Sequence, residues 1–130
     1  MPRLAKTDVM FAHMALHLAA GLSPSARRVG AAIIEHYNKK TGQCDPSIER
    51  LARMLGIDRA TVMRATGELC EAADGLFERV THGGRSHRTA YLPRWDRLNA
   101  IVDDWDLRMK DGSPPRKVAE LRRSRSQDCD

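Results

Sequence analysis

Aromatic residues are scarce in this 130-residue chain, where Phe, Trp and Tyr together make up 5% of the sequence. The core of one compact domain must therefore come mainly from Leu, Ile, Val, Met and Ala. Cysteine is equally sparse, because Cys44, Cys70 and Cys129 lie far apart and form no CxxC pair. This spacing argues against a disulfide framework and a zinc finger, and it favours a reducing cytosol.

The sequence also lacks long apolar runs and the short motifs of common enzymes. No stretch reaches the roughly 18–20 apolar residues that a membrane helix needs. The run from Val9 to Leu22 follows Arg3 and Lys6, but His13 and His17 interrupt it, so we expect no export signal. Neither a phosphate-binding P-loop nor a nucleophile elbow occurs. We therefore predict a cytoplasmic protein that is not an enzyme, needs no cofactor and binds no membrane.

Charge, by contrast, is plentiful and unevenly spread. The chain has 22 Lys and Arg against 17 Asp and Glu, which gives a formal net charge of +5. Residues 22–94 hold 12 of the cations and 8 of the acidic residues, so most of the positive excess lies there. A basic balance favours a polyanionic partner such as nucleic acid.

Helical spacing and capping signals predict a mainly α fold with a small β-hairpin. Apolar residues recur at helical spacing in five segments, which are 8–21, the stretch after Ser23-Pro24, Ile48–Leu55, the stretch after Asp58, and 94–110. The segments Leu76–Thr81 and Thr89–Leu92 read as strands joined by a Gly-containing loop over residues 82–88.

The segment ERLARMLGIDRATVMRATGEL, Glu49 to Leu69, has the pattern of two helices packed across a tight turn. Ala52 is small where the helices cross, and Gly56, four residues later, tolerates a positive φ in the turn. Apolar residues flank the turn and continue into the second helix at Leu51, Leu55, Ile57, Val62 and Leu69. Gly67 departs from the pattern, because glycine inside a helix costs up to about 1 kcal/mol relative to Ala.

Three stretches extend this pattern from Leu22 to Leu92, namely LSPSARRV, EHYNKKTGQCDPSIERLARMLGIDRATVMRATGEL, and a basic GGR hairpin before a Thr/Tyr strand. In these features the chain resembles bacterial winged helix-turn-helix DNA-binding proteins. It is similar to domains of phage and plasmid replication initiators and of small mobile-element-associated regulators. The resemblance implies a winged helix-turn-helix with flanking helices. We divide the chain into an N-terminal helical extension (1–21), a DNA-binding domain (22–93), a C-terminal helix (94–112) and a basic flexible tail (113–130).

The resemblance implies sequence-specific binding to double-stranded DNA by a nucleoid-associated protein. The helix after Asp58 would enter the major groove, and the hairpin would reach the backbone or minor groove. We favour a small transcriptional regulator, because replication initiators usually carry more chain. A DNA-replication or mobile-element accessory protein that binds an origin or repeats is one alternative. A winged-helix protein-interaction module is another, although such modules often lack cations like Arg59, Arg64, Arg85 and Arg88.

Eight residues are candidates for DNA contact: Ser47, Arg59, Ala60, Thr61, Met63, Arg64, Arg85 and Arg88. Arg64 is assigned to base readout, because Arg pairs with guanine edges, and Met63 and Ala60 could meet thymine methyl groups. Thr61 is expected to touch phosphate. Ser47 begins a helix whose N–H groups can bind a phosphate. Arg85 and Arg88 would contact the backbone or minor groove.

The last predicted helix carries an apolar stripe of Trp95, Leu98, Ile101, Val102 and Trp105. It either packs back on the domain or pairs with a second copy, and we favour a homodimer because two half-sites multiply specificity.

Two other groups of residues carry weaker expectations. Arg27 and Arg28 are expected to face solvent or phosphate. His13 and His17 could join His36 or Cys44 around a transition metal. Their apolar setting favours packing instead, so we predict no metal.

Overall fold

The computed structural model describes residues 6–37, 44–71, 75–81 and 89–115. In these residues the chain forms five helices and one two-stranded sheet, which are α1 (Lys6–Leu18), α2 (Pro24–His36), α3 (Ile48–Leu55), α4 (Arg59–Glu71), β1 (Phe77–Thr81), β2 (Thr89–Pro93) and α5 (Trp95–Asp111). The strands pair antiparallel, with Phe77 opposite Pro93 and Thr81 opposite Thr89. This architecture confirms the predicted mainly α fold with a small hairpin and is that of a winged helix-turn-helix. The hairpin loop, residues 82–88, and the predicted tail beyond residue 115 lie outside the described residues.

The core is built where four helices meet. α1 lies against α5 and α2, and α2 lies against α4. Leu16, Ile33, Leu69 and Leu98, one from each of these helices, are buried almost completely. Phe77 of β1 is fully buried as well, so one of the few aromatic rings closes the core beneath the sheet. Apart from Phe77, Tyr91 and Cys44, the buried core is aliphatic, in keeping with the scarcity of aromatic residues.

The sheet is tied to the helices through the segment that precedes α3. The amide of Tyr91 in β2 donates to the carbonyl of Cys44 at 2.7 Å. The thiol of Cys44 is buried and lies 3.1 Å from the carbonyl oxygen of Ile33 in α2. Burial raises the pKa of this thiol to about 12, so Cys44 is a packing residue and not a reactive one. The residues leading into α3 are thereby fixed between α2 and β2.

The apolar stripe of α5 packs back on the domain, which was one of the two alternatives. Leu98, Ile101 and Val102 are at most 5% exposed within a single chain. The ring of Trp95 meets Tyr37 edge-on at 5.4 Å, and the ring of Trp105 lies under the guanidinium of Arg108. The three aliphatic residues are therefore not available to a second copy in this fold, which corrects their assignment to a dimer interface. A homodimer stays a prediction, and of the five residues assigned to it Trp95 and Trp105 keep partial exposure.

The arginines of α2 bind helix ends, which corrects the expectation that they simply face solvent or phosphate. The guanidinium of Arg27 donates to the carbonyls of His17, Ala19 and Leu22, around the C-terminus of α1. α1 ends at Leu18, three residues before the end predicted at residue 21, and these bonds lie at that helix end. Arg28 donates to the carbonyl of Leu55, the last residue of α3, at 2.7 Å. Both side chains satisfy carbonyls that a helix end leaves without an intrahelical partner.

Candidate nucleic-acid interface

The turn between α3 and α4 is set by local signals. Ser47 caps α3, because its side-chain oxygen accepts from the amide of Arg50 at 3.1 Å. α3 ends at Leu55, and the φ of its C-cap Gly56, 68°, lies in the left-handed region that favours glycine. The amide of Ile57 then bonds to the carbonyl of Ala52 at 3.1 Å. The predicted turn glycine is confirmed, and together with the Ser47 cap it places α4 directly after a tight turn.

Asp58 starts α4 through its side chain as well as its backbone. Its carbonyl accepts the first intrahelical bond, from the amide of Val62 at 3.2 Å. Its carboxylate accepts a hydrogen bond from the hydroxyl of Thr61. This bond is the main reason why the pKa of Asp58 lies below its usual value. The carboxylate therefore remains ionised at the positive end of the helix dipole, where negative charge stabilises the helix.

α4 has one face in the core and one face in solvent. Val62, Ala65, Thr66 and Leu69 are buried against α2 and the core. Arg59, Ala60, Met63 and Arg64 are exposed, and Met63 keeps 56% of its surface accessible. Four of the eight residues predicted to contact DNA therefore lie together on the outer side of the first two turns of α4. This is the part of such a helix that reaches base edges in the major groove.

The cations of α4 have exposed side-chain partners. The guanidinium of Arg59 lies 3.2 Å from the carboxylate of Glu49, and both side chains are more than 60% exposed. Arg64 donates to the hydroxyl oxygen of Thr61 at 3.4 Å. An exposed ion pair of this kind contributes about 0–1 kcal/mol. Both guanidinium groups can therefore exchange their partners for a ligand at little cost.

A cavity of about 650 Å³ opens between the end of α2, the start of α3, the start of α4 and the start of β2. Polar side chains dominate its lining, among them His36, Ser47, Arg50, Arg59 and Thr89. The site thus joins two of the predicted residues, Ser47 and Arg59, with Arg50 and His36, which the sequence pattern did not assign to DNA. Arg85 and Arg88, the predicted hairpin contacts, lie outside the described residues.

His36 holds Arg50 in a defined orientation. The Nδ1 of His36 lies 2.7 Å from the carbonyl oxygen of Ala32, so Nδ1 carries the proton. Nε2 is then an acceptor, and the Nε–H of Arg50 donates to it at 3.0 Å. Arg50 is the third residue of α3, so its place at the start of this helix follows from the sequence. Its partnership with His36 comes from packing and has no local signal in the sequence.

Metal-binding clusters and membrane spans are both absent from the part of the chain that the structure describes. These residues contain no cluster of three His, Cys, Asp or Glu side chains that could hold a metal ion. His13, one of the residues considered for metal binding, instead pairs with Glu35 of α2 at 2.8 Å. Across the same residues, no helix has both the length and the apolar character that a membrane crossing requires.

Comparison with known proteins adds one finding. Residues 20–72 match the model of a family described as a helix-turn-helix domain. Neither the curated proteins nor the solved structures gave a match. The matched region spans α2, α3 and α4, so it contains the capped helix, the glycine turn and the exposed face of α4. Residues 20–72 are therefore similar to a helix-turn-helix domain, and this supports a helix-turn-helix DNA-binding protein.

Proposed function

We propose that this protein binds double-stranded DNA at specific sequences and acts as a small transcriptional regulator. One observation carries the proposal, namely the exposed face formed by Arg59, Ala60, Met63 and Arg64 on the second helix of a helix-turn-helix. The other face of the same helix is committed to the core. The exposed face supplies two cations and two apolar groups, which is the chemistry that base edges and phosphates require.

Arg64 is the residue that we assign to base readout. It is one helical turn after Ala60 and next to Met63, so it lies on the same exposed face as both. Its guanidinium can donate two parallel bonds to the O6 and N7 of guanine. Met63 and Ala60, beside it on the same face, provide apolar contact for a thymine methyl group.

Ser47, Arg50 and Arg59 are assigned to one strand of the sugar–phosphate backbone. They line the cavity beside the start of α3, where helix N–H groups favour an anion. Arg59 would exchange Glu49 for a phosphate when DNA binds. Thr61 was also predicted to touch phosphate, but its hydroxyl bonds to both Asp58 and Arg64. We assign it to orienting Arg64. The contacts of Arg85 and Arg88 stay predictions from the sequence.

The experiment that tests this proposal is recovery of DNA bound by the purified protein from sheared DNA of its own source. A few sharply enriched sites are expected, and sites beside promoters would support a transcriptional regulator. Sites at an origin or in repeats would instead support the replication alternative. Palindromic sites would support a homodimer. Weak binding without enrichment would contradict a specific reader and favour a protein-docking module.

Two variants sharpen that experiment. The Arg59→Ala/Arg64→Ala protein should lose the enriched sites, because it lacks both cations of the exposed face. Lys110→Ala removes one positive charge from the exposed end of α5 and should retain them. Equal loss in both proteins would mean that total charge, and not the α4 face, determines binding.

A further inference from the structure

The N-terminus of α2 is capped by a carboxylate from another helix. Ser23 is the N-cap, and its side-chain oxygen accepts from the amide of Ala26 at 3.1 Å. Its own amide donates to Oε1 of Glu68 at 3.1 Å, and its hydroxyl donates to Oε2 of Glu68 at 2.6 Å. Glu68 belongs to α4, so both oxygens of one carboxylate join the helix that carries the proposed DNA-reading face to the N-cap residue of α2.

This arrangement differs from the usual capping box in the origin of the carboxylate. In a capping box the Glu is the third residue of the same helix and reaches back to the N-cap amide. That position in α2 is Ala26, which is fully buried and has no carboxylate. In this structure the acceptor for the N-cap amide is therefore supplied by α4 and not by α2 itself. The position of α4 and the full hydrogen bonding of the Ser23 cap are thus coupled.

A second contact fixes α4 against α2 from the apolar side. Gly30 of α2 is buried, and a Cβ added there would lie 3.3 Å from Cδ2 of Leu69. The helices thus approach closely at Gly30 and Leu69, while Glu68, the preceding residue of α4, holds Ser23. An apolar contact alone allows a helix to rotate about its axis. A carboxylate that accepts two hydrogen bonds, at 3.1 and 2.6 Å, is directional and restricts that rotation.

We propose that Glu68 is a positioning residue that sets the rotation of α4 and hence the direction in which Arg64 points. The inference rests on the proposed function, because it concerns how the same helix reads DNA. Arg64 is one turn from Glu68, so a rotation of α4 moves its guanidinium directly. Bidentate bonds to a base weaken steeply with angle, whereas contacts to phosphate tolerate displacement. Sequence discrimination therefore depends on Glu68 more than general DNA affinity does.

The test compares Glu68→Ala and Glu68→Gln with Glu71→Ala, which removes the same charge from an exposed position on the same helix. A preferred duplex is first selected from random sequences with the unchanged protein. The affinity for that duplex and for a scrambled one is then measured well below the melting temperature. Glu68→Ala should reduce the ratio of the two affinities by about tenfold, the loss expected from one disturbed base contact. Glu71→Ala should leave the ratio unchanged.

Glu68→Gln separates positioning from folding. Gln keeps the shape and one acceptor for the Ser23 amide, so this variant should fold and should retain more discrimination than Glu68→Ala. Unequal losses on the two duplexes support the proposal. Equal losses on both duplexes in the two Glu68 variants would mean that Glu68 only stabilises the fold. An unchanged ratio in both variants would also overturn the proposal.

Amide hydrogen exchange provides a readout that does not involve DNA. The Ser23 amide should exchange at least about tenfold faster in Glu68→Ala than in Glu71→Ala, because its acceptor is gone. Unchanged exchange would refute the capping contact itself. If the unchanged protein selects no duplex, the proposed function fails, and the exchange of Ser23 still decides whether Glu68 holds α2.

Discussion

Arginines occur on both α2 and α4, but their partners differ. Arg27 and Arg28 of α2 donate to backbone carbonyls at the ends of α1 and α3. Arg59 and Arg64 of α4 contact the side chains of Glu49 and Thr61 at the surface. All four belong to the basic segment of the sequence, yet only those on α4 have partners that can rotate away.

The difference shows how a cation that maintains the fold can be distinguished from one that can bind a ligand. A carbonyl at a helix end cannot move, and removal of its donor leaves a polar group that the helix does not satisfy. An exposed side chain can turn to solvent, so an arginine released from it costs little. Exposure alone does not separate the two classes, because Arg28 is exposed and still caps α3.

Replacement of Arg64 by Ala should have the largest effect, and that effect should fall on DNA. We expect affinity for a selected site to fall by about 1–3 kcal/mol, the range for a bidentate base contact. The free energy of unfolding should change by less than about 0.5 kcal/mol, because the side chain is outside the core. Titration of duplexes with single base changes measures both affinity and preference. The same loss on every duplex would contradict base readout by Arg64.

Replacement of Arg27 by Ala should lower the stability of the protein and leave DNA binding unchanged, which is the reverse of the effect expected for Arg64. Three carbonyls around the end of α1 lose a charged donor, so the free energy of unfolding should fall by about 2 kcal/mol. DNA affinity of the folded protein should be unaffected. Urea unfolding checks the first expectation, and Arg27→Lys is the control for charge. Lys lacks the planar fork that reaches several acceptors, so it should recover only part of the stability.

The sequence predicted those parts of the site that depend on neighbours along the chain. The N-cap residue Ser23 and the turn residue Gly56 each act through the next few residues, and both are confirmed. The two faces of α4 followed from its helical period in the same way. Hence the exposure of Arg59 and Arg64 follows from the spacing of the apolar residues around them.

The features that the sequence pattern did not predict join residues from different helices. Glu68 meets Ser23, Arg28 meets Leu55, and His36 meets Arg50 only after the helices pack. The apolar stripe of α5 predicted that another surface must cover this helix. Its periodicity does not distinguish a distant helix of the same chain from a second copy. The contact between α1 and α5 joins the first helix of the described chain to the last.

Two glycines inside helices extend the comparison of α2 with α4. A Cβ at Gly67 of α4 would meet only the carboxylate of Glu71, at 3.8 Å, whereas a Cβ at Gly30 of α2 would lie 2.8 Å from Leu16. Gly67→Ala should therefore stabilise the protein by about 0.5–1 kcal/mol, through its helix propensity. Gly30→Ala should be destabilising, because the core must move to admit a methyl group. Thermal unfolding of both variants checks whether each change raises or lowers the stability. A loss of stability in Gly67→Ala would contradict an open outer face on α4.

Glu49→Gln should have the smallest effect and tests whether the partner of Arg59 is exchangeable. The ion pair is exposed, so its removal should change the free energy of unfolding by less than about 0.5 kcal/mol. Affinity for random duplex DNA should rise by about twofold to fivefold, because Arg59 no longer has to leave a carboxylate and one acidic group near the phosphates is gone. Glu35→Gln removes an acidic group that pairs with His13 and does not line the cavity, and it is the control. A gain in affinity that appears equally in both variants would reflect net charge alone. A gain confined to Glu49→Gln would mean that Arg59 is held by Glu49 until a phosphate replaces it, which is the property that separates the arginines of α4 from those of α2.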